Sequence, residues 1–364
     1  MPIRVLVVED SAFMRRIISE AVTAEPDMEV AGTAINGLDA LLKVEQMQPD
    51  VVTLDVEMPD MDGLTALRHL MARYPRPVIM LSSLTQAGAA TTIRALTMGA
   101  VDFVAKPSGS IPLDFHQVRD ELIQKIRTAA HARIHAPLHP PASPAPRGAP
   151  IVPLAGKATL ARSPGVFDSV VAIGTSTGGP QALSTVVPGL VDDRRTAYII
   201  VQHMPAGFTR SLAERLAATS SLHVREAERG DRLAAGTVLV APGDYHLQLS
   251  ASGAVQLFQA PRVHGVRPSV DVMLESLAQH FGARVITAIL TGMGVDGAAG
   301  AVAVRAKGGF IIAEDEATCV VWGMPRAVAE RGAANRVVRL EHVSTAIAEA
   351  VASRSSHHTN LQIA

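Results

Sequence analysis

A chain of 364 residues, 48% hydrophobic and 18% charged, has the make-up of a globular protein long enough for two domains with separate cores. Its net charge of −1 gives no field favouring nucleic acid or an anionic membrane surface, and aromatics at 3% supply no base-stacking platform. A single cysteine, Cys319, excludes an internal disulfide and no stretch approaches the roughly 18 apolar residues of a membrane span, so a cytoplasmic protein with no direct membrane insertion is expected.

The chain opens on MPIRVLVVED, an apolar stretch too short for a signal peptide that runs straight into carboxylates. Ile3 to Val8, Asp50 to Leu54 and Pro77 to Leu81 read as strands, with Phe103 to Ala105 a shorter fourth. Between the first two, Phe13, Ile17, Ile18, Ala21 and Val22 keep helical spacing. Continuous apolar strands separated by amphipathic helices predict a parallel sheet covered on both faces. Glu9 and Asp10 close the first strand and Asp55 the next, which gathers three carboxylates on the edge where such sheets bind ligands. They repel one another unless a hard cation such as Mg²⁺ sits among them. Ser82 and Lys106 end two further strands, a hydroxyl and an ammonium suited to the oxygens of a phosphoryl group.

Taken in order along residues 1–128, VVEDSAFMRR, TLDVEMPDMDG, MLSS and FVAKP resemble the landmarks of a two-component receiver domain. The resemblance implies Asp55 as phospho-acceptor and Glu9, Asp10 and Asp55 as Mg²⁺ ligands. It also implies Ser82 and Lys106 as sensors of the phosphoryl group, Phe103 as an aromatic that reorients, and a sensor histidine kinase as phosphodonor. Many receivers carry Asp where this chain has Glu9.

Residues 129–165, crowded with proline and alanine, read as a semi-extended linker. Strand and helix then alternate again over 166–352. Val170 to Ile173 forms a strand, and the run GTSTGG leads from it to a helix opening at Pro180 with Leu183, Val186, Val187 and Leu190 on one face. Ala197 to Val201 is a strand followed by the helical stripe Phe208, Leu212 and Leu216. Between about Val238 and Gln259 short strands and turns indicate an antiparallel hairpin. Val285 to Leu290 and Phe310 to Ala313 are strands around an alanine-rich helix, and 353–364 reads as a frayed tail. The predicted fold is α/β: two doubly wound parallel-sheet domains, flavodoxin-like then Rossmann-like, the second with an added β-hairpin.

Ser176, in the glycine turn, lies beside the unpaired N–H groups of a helix start, as a nucleophile and its oxyanion site require. A serine needs a base, and the base an orienting acid. His203 and Asp296 follow other strands on the same edge, and backbone N–H groups near Thr177 and Met293 are candidate oxyanion donors. Each residue also has a structural reading: Ser176 in tight packing or phosphate binding, His203 as a bonded core residue, Asp296 as a helix cap. A rival constellation uses Gly292, Gly294 and Gly297, which spell G-x-G-x-x-G after a strand, with Glu314 further on, the outline of a dinucleotide site.

GTSTGGP, VQHMP, LTGMGVDG, APGDYH and VVWGMPRAV, across about 166 to 350, resemble the catalytic domain of chemotaxis-type protein-glutamate methylesterases. The resemblance implies Ser176 as nucleophile, His203 as base, Asp296 as its orienting acid, and no cofactor for the ester chemistry. The implied substrates are methylated glutamates on the cytoplasmic domains of chemoreceptors, with glutamine deamidation as a second activity. It further implies a receiver that covers the active-site edge until Asp55 is phosphorylated. The alternative is a receiver with a non-catalytic, nucleotide- or partner-binding output domain.

Overall fold

A computed structural model describes residues 1–106, 115–134 and 167–360. The first domain alternates β1 (Ile3–Val8), α1 (Ala12–Thr23), β2 (Met28–Ala34), α2 (Gly37–Met47), β3 (Val51–Asp55), α3 (Gly63–Arg73), β4 (Val78–Ser82), α4 (Gln86–Thr97), β5 (Asp102–Ala105) and α5 (Phe115–Ala130). Its five strands pair in the order β2-β1-β3-β4-β5, all parallel. Val5 to Val8 are fully buried because helices cover both faces, which is why β1 reads as an unbroken apolar run. Ser11, Asn36, Asp62 and Thr85 each cap the helix that follows with a side-chain oxygen.

The second domain contains β6 (Ser169–Thr175), α6 (Gly179–Val186), β7 (Thr196–Gln202), α7 (Phe208–Ala217), β8 (His223–Glu226), β9 (Thr237–Val240), β10 (His246–Leu249), β11 (Val255–Phe258), α8 (Val270–Phe281), β12 (Val285–Ile289), α9 (Ala298–Ala306), β13 (Phe310–Glu314), α10 (Met324–Glu330), β14 (Arg336–Val338) and α11 (Val343–Asn360). Seven of its strands form a parallel sheet in the order β14-β13-β12-β6-β7-β9-β8. The chain moves outward from β6 through β7 and then returns to β12 on its other side. The loops leaving β6 and β12 therefore part at a topological switch point.

The sequence reading differs from the structure in several elements. β2 escaped it because MEVAGTA is an edge strand, half-buried and broken by polar residues. Thr237–Val240 belongs to the main parallel sheet, and only β10 and β11 form the antiparallel hairpin. α5 continues past 128 to Ala130 because Ala129 keeps an apolar face buried. Most of the expected 129–165 linker lies outside the described residues. α11 runs through Asn360, well into the stretch expected to fray; Arg354 ties it down by donating to the carbonyls of Ala283 and Gly308 at 2.7 and 2.9 Å.

The two domains pack directly on one another. α4 lies across α6 and α7, and the rings of Phe103 and Phe208 sit 4.4 Å apart. Among the described residues no helix is long and apolar enough to cross a membrane.

Candidate active site

Ser176 follows β6 and its N–H donates to the Thr291 carbonyl, just past β12, at 3.0 Å. The turn requires glycine at two close approaches. Gly178 has φ +78°, and a Cβ on Gly292 would lie 2.7 Å from the Cβ of Ser176. The second glycine thus lets the β12 loop press against the serine.

Sheet register brings the histidine to the serine. Thr175 pairs with Gln202, so Ser176 and His203 leave neighbouring strands at the same level, and the His203 N–H donates to the Thr175 carbonyl at 3.1 Å. His203 Nε2 lies 2.7 Å from Asp296 Oδ2. An ionised carboxylate only accepts, so Nε2 is the donor, and in the neutral imidazole Nδ1 is then the nitrogen with a lone pair. That Nδ1 is buried and without a hydrogen-bond partner.

Asp296 is 2% exposed and sits over the start of α8. Its carboxylate accepts from Val270 N at 2.7 Å, Ser269 Oγ at 2.8 Å and Asp271 N at 3.1 Å as well as from His203. Burial pushes its carboxyl up, but the bond from His203 and the helix-terminal N–H groups outweigh burial and hold it at about 2. The acid is fixed in the ionised form. A charge of this kind orients an imidazole and steadies its protonated state.

The N–H groups of Thr177 and Met293 donate to no acceptor among the described residues. Over this edge lies the first domain. Gly178 N donates to the Val101 carbonyl at 3.2 Å, and Thr177 Oγ1 to Asp102 Oδ2 at 2.6 Å. Thr128 Oγ1 lies 2.9 Å from Met293 Sδ, and Arg133 donates to Glu316 Oε1 at 2.7 Å. The contact is made by the α4, β5 and α5 side of the first domain.

At the far end of the first domain, Glu9, Asp10 and Asp55 each offer an oxygen, all within 4.8 Å of one another. Lys106 Nζ makes ion pairs with Glu9 Oε2 at 2.8 Å and Asp55 Oδ2 at 2.7 Å. Burial, with the charge of Asp55 beside it, raises the Glu9 carboxyl to about 7; burial also raises Asp55. Glu9 Oε2 has no hydrogen-bond partner beyond the ion pair, and such a donor set fits a hard divalent cation. Ser82 lies apart from this cluster in its bonding: its hydroxyl accepts from Thr92 on α4 at 2.6 Å. Phe103 is buried against the second domain, with Lys125 Nζ 5.1 Å from its ring centroid.

Sequence reasoning missed the residues that brace this site. Gln202 Nε2 donates to the carbonyls of Ser176 and His203, tying nucleophile and base together. Thr291 and Ser269 hold the serine turn and the aspartate. A polar residue at the last position of an apolar strand, as Gln202 is, was the available signal. The dinucleotide outline does not survive. Glu314, the residue meant for a ribose, is fully buried and accepts the N–H of Thr291.

The CheB methylesterase family model matches residues 171–347, and the response regulator receiver domain model matches residues 5–114. The protein-glutamate methylesterase/protein-glutamine glutaminase of Symbiobacterium thermophilum is 52% identical over 96% of this chain and 97% of its own. The protein of the same name from Pyrococcus horikoshii is 45% identical over 96% of this chain and 94% of its own. The crystal structure of the Thermotoga maritima CheB methylesterase catalytic domain, 45% identical, covers 50% of this chain and 99% of its own at a TM-score of 0.49. With relatives of this identity aligned almost end to end, the chain belongs to the protein-glutamate methylesterase/protein-glutamine glutaminase family, a receiver and a CheB methylesterase domain in one polypeptide.

Proposed function

We propose that the protein hydrolyses glutamate methyl esters on the cytoplasmic domains of chemoreceptors, and deamidates glutamines there, with Ser176 as nucleophile. The observation that carries this is the His203–Asp296 bond, which leaves a buried, unpartnered Nδ1 beside the serine strand. Ser176 Oγ attacks the γ-carbonyl carbon while its proton passes to His203 Nδ1. The oxyanion is met by the N–H groups of Thr177 and Met293, donors of a kind worth about 3–4 kcal/mol each. Collapse of the adduct breaks the ester C–O bond, and methanol leaves with the proton from His203. Water then attacks the acyl-serine, gives its proton to His203, and the freed Ser176 oxygen takes that proton back. With glutamine the same steps release ammonia.

Access is set by the receiver. Asp55 accepts phosphate from a sensor histidine kinase, and Ser82 and Lys106 bind the phosphoryl oxygens. Glu9, Asp10 and Asp55 would hold the Mg²⁺, which neutralises phosphoryl charge. Phosphorylation reorients Phe103 and releases the cover, while the tether keeps the domains at an effective concentration of about millimolar. Support comes from the contacts of Val101 and Asp102 on the serine turn. The cytoplasm is the compartment this reading requires.

The test is methanol release from methylated receptor membranes, with and without a phosphodonor. Ser176→Ala falls to background if the assignment holds; hydrolysis above background in that variant overturns it. Residues 166–364 alone outpace the unphosphorylated full chain if the receiver inhibits, and equal rates remove the inhibition while leaving the chemistry.

A further inference from the structure

Glu314, the last residue of β13, is fully buried. Its Oε2 accepts the Thr291 N–H at 2.8 Å, and its Oε1 has no hydrogen-bond partner. Thr318 and Cys319 face it from the loop beyond the strand, and Glu341 from the turn before α11. Burial pushes the carboxyl up to about 7 against the pull of the Thr291 N–H and of the Thr318 hydroxyl and Cys319 thiol. An apolar side chain of the same volume would leave the buried Thr291 N–H without its acceptor. The retained carboxyl therefore calls for a role beyond packing.

Thr291 supplies that role. Its carbonyl accepts from Ser176 N at 3.0 Å and from Thr175 Oγ1 at 3.0 Å. Its hydroxyl donates to the Thr177 carbonyl at 3.0 Å and accepts from Val321 N at 3.0 Å. Three successive residues of the serine turn thus hang from Thr291. The N–H of Thr291 has Glu314 as its acceptor. The next residue, Gly292, is the one pressed against the Ser176 side chain.

We propose that Glu314 is a positioning residue for the nucleophile: by accepting the Thr291 N–H it fixes the residue from which the Ser176 turn hangs. The proposal rests on the serine-esterase reading above. Nothing in it requires Glu314 to touch substrate, so its loss lowers turnover and leaves substrate binding alone.

The experiment compares Glu314→Gln with Glu314→Met in the full-length protein with phosphodonor, reading kcat and KM for methanol release. Glutamine keeps an accepting oxygen, whereas methionine has the same length and none. In the methionine variant kcat falls by about tenfold or more with KM within about twofold, while the glutamine variant stays within about threefold of the parent. Labelling of Ser176 by an organophosphonate slows in parallel with kcat. A methionine variant as fast as the glutamine variant overturns the proposal. So does a change confined to KM, or an equal loss in both variants together with a fall in melting temperature, which would mean packing alone. Ser176→Ala run alongside separates the two levels. If that variant still hydrolyses ester, the underlying reading fails; if it is inert, the Glu314 pair judges positioning alone.

Discussion

Asp102→Ala removes the receiver's half of the contact nearest the nucleophile without changing any residue of the catalytic domain. Asp102 Oδ2 accepts from Thr177 Oγ1 at 2.6 Å, and the Asp102 side chain is 14% exposed. A hydrogen bond to a charged group is worth about 1.5–3 kcal/mol. The same carboxylate pairs with Lys125 at 3.2 Å, but that pair lies within the receiver and does not cross the interface. Taking the lower figure, with about 1.4 kcal/mol for each factor of ten, docking weakens about tenfold. The assay is the initial rate of methanol release by unphosphorylated full-length protein, with the phosphorylated parent as the ceiling. The Asp102→Ala rate should rise toward that ceiling by up to about tenfold, the phosphorylated rate should not move, and adding Thr177→Val should contribute nothing further. If the unphosphorylated rate stays at the parent level while phosphorylation still activates, the contact plays no part in inhibition.

Asp296→Asn keeps the shape of the acid but lets Nε2 lose its proton, so kcat should fall by about a thousandfold or more with KM little changed, measured by methanol release. Glu314 makes stability fall as pH rises: its raised folded value keeps the proton between about 4.5 and about 7 while the unfolded chain loses it. Urea unfolding of Glu314→Gln should therefore lack a decline of up to about 3 kcal/mol across that window; a parallel decline in both proteins would show that another group causes it. Glu9 predicts that Mg²⁺ binding strengthens as pH rises through about 7, because protons compete for the same oxygens. Titration of Glu9→Gln should give weaker binding and a flatter pH dependence, and an unchanged profile would remove Glu9 from the ligand set.

Much of this was readable in the sequence because strand ends carry the chemistry. β1, β3, β6 and β7 are continuous apolar runs, so the residues that follow them could be assigned to one edge without seeing the sheet. Ser176 and His203 were proposed in that way, and Asp296 likewise from the apolar run of β12. β2 was not, because an edge strand with one exposed face has no unbroken apolar run. β9 was misplaced because its parallel pairing to β7 is a long-range contact that the nearby hairpin residues conceal. The braces failed for the same reason. Thr291 and Glu314 acquire their roles only when strands far apart in sequence lie side by side, and Glu314 also fitted a different motif. The resemblance implied a receiver over the active-site edge, but Val101 and Asp102 give no sign in sequence that they make the contact.

β5 has a consequence for how little movement regulation needs. Lys106, which grips Asp55, follows one end of this strand, and Asp102, which grips the serine turn, begins it. Four residues of extended chain span about 13 Å, and hydrogen bonds to β4 keep them from bending. In the proposed regulation this strand is the short link between the phosphoryl site and the serine turn, with the Phe103 ring packed on Phe208 beside it. On that proposal a displacement at the ammonium end needs no amplification to reach the serine turn; it needs only to be carried along the strand, without hinges.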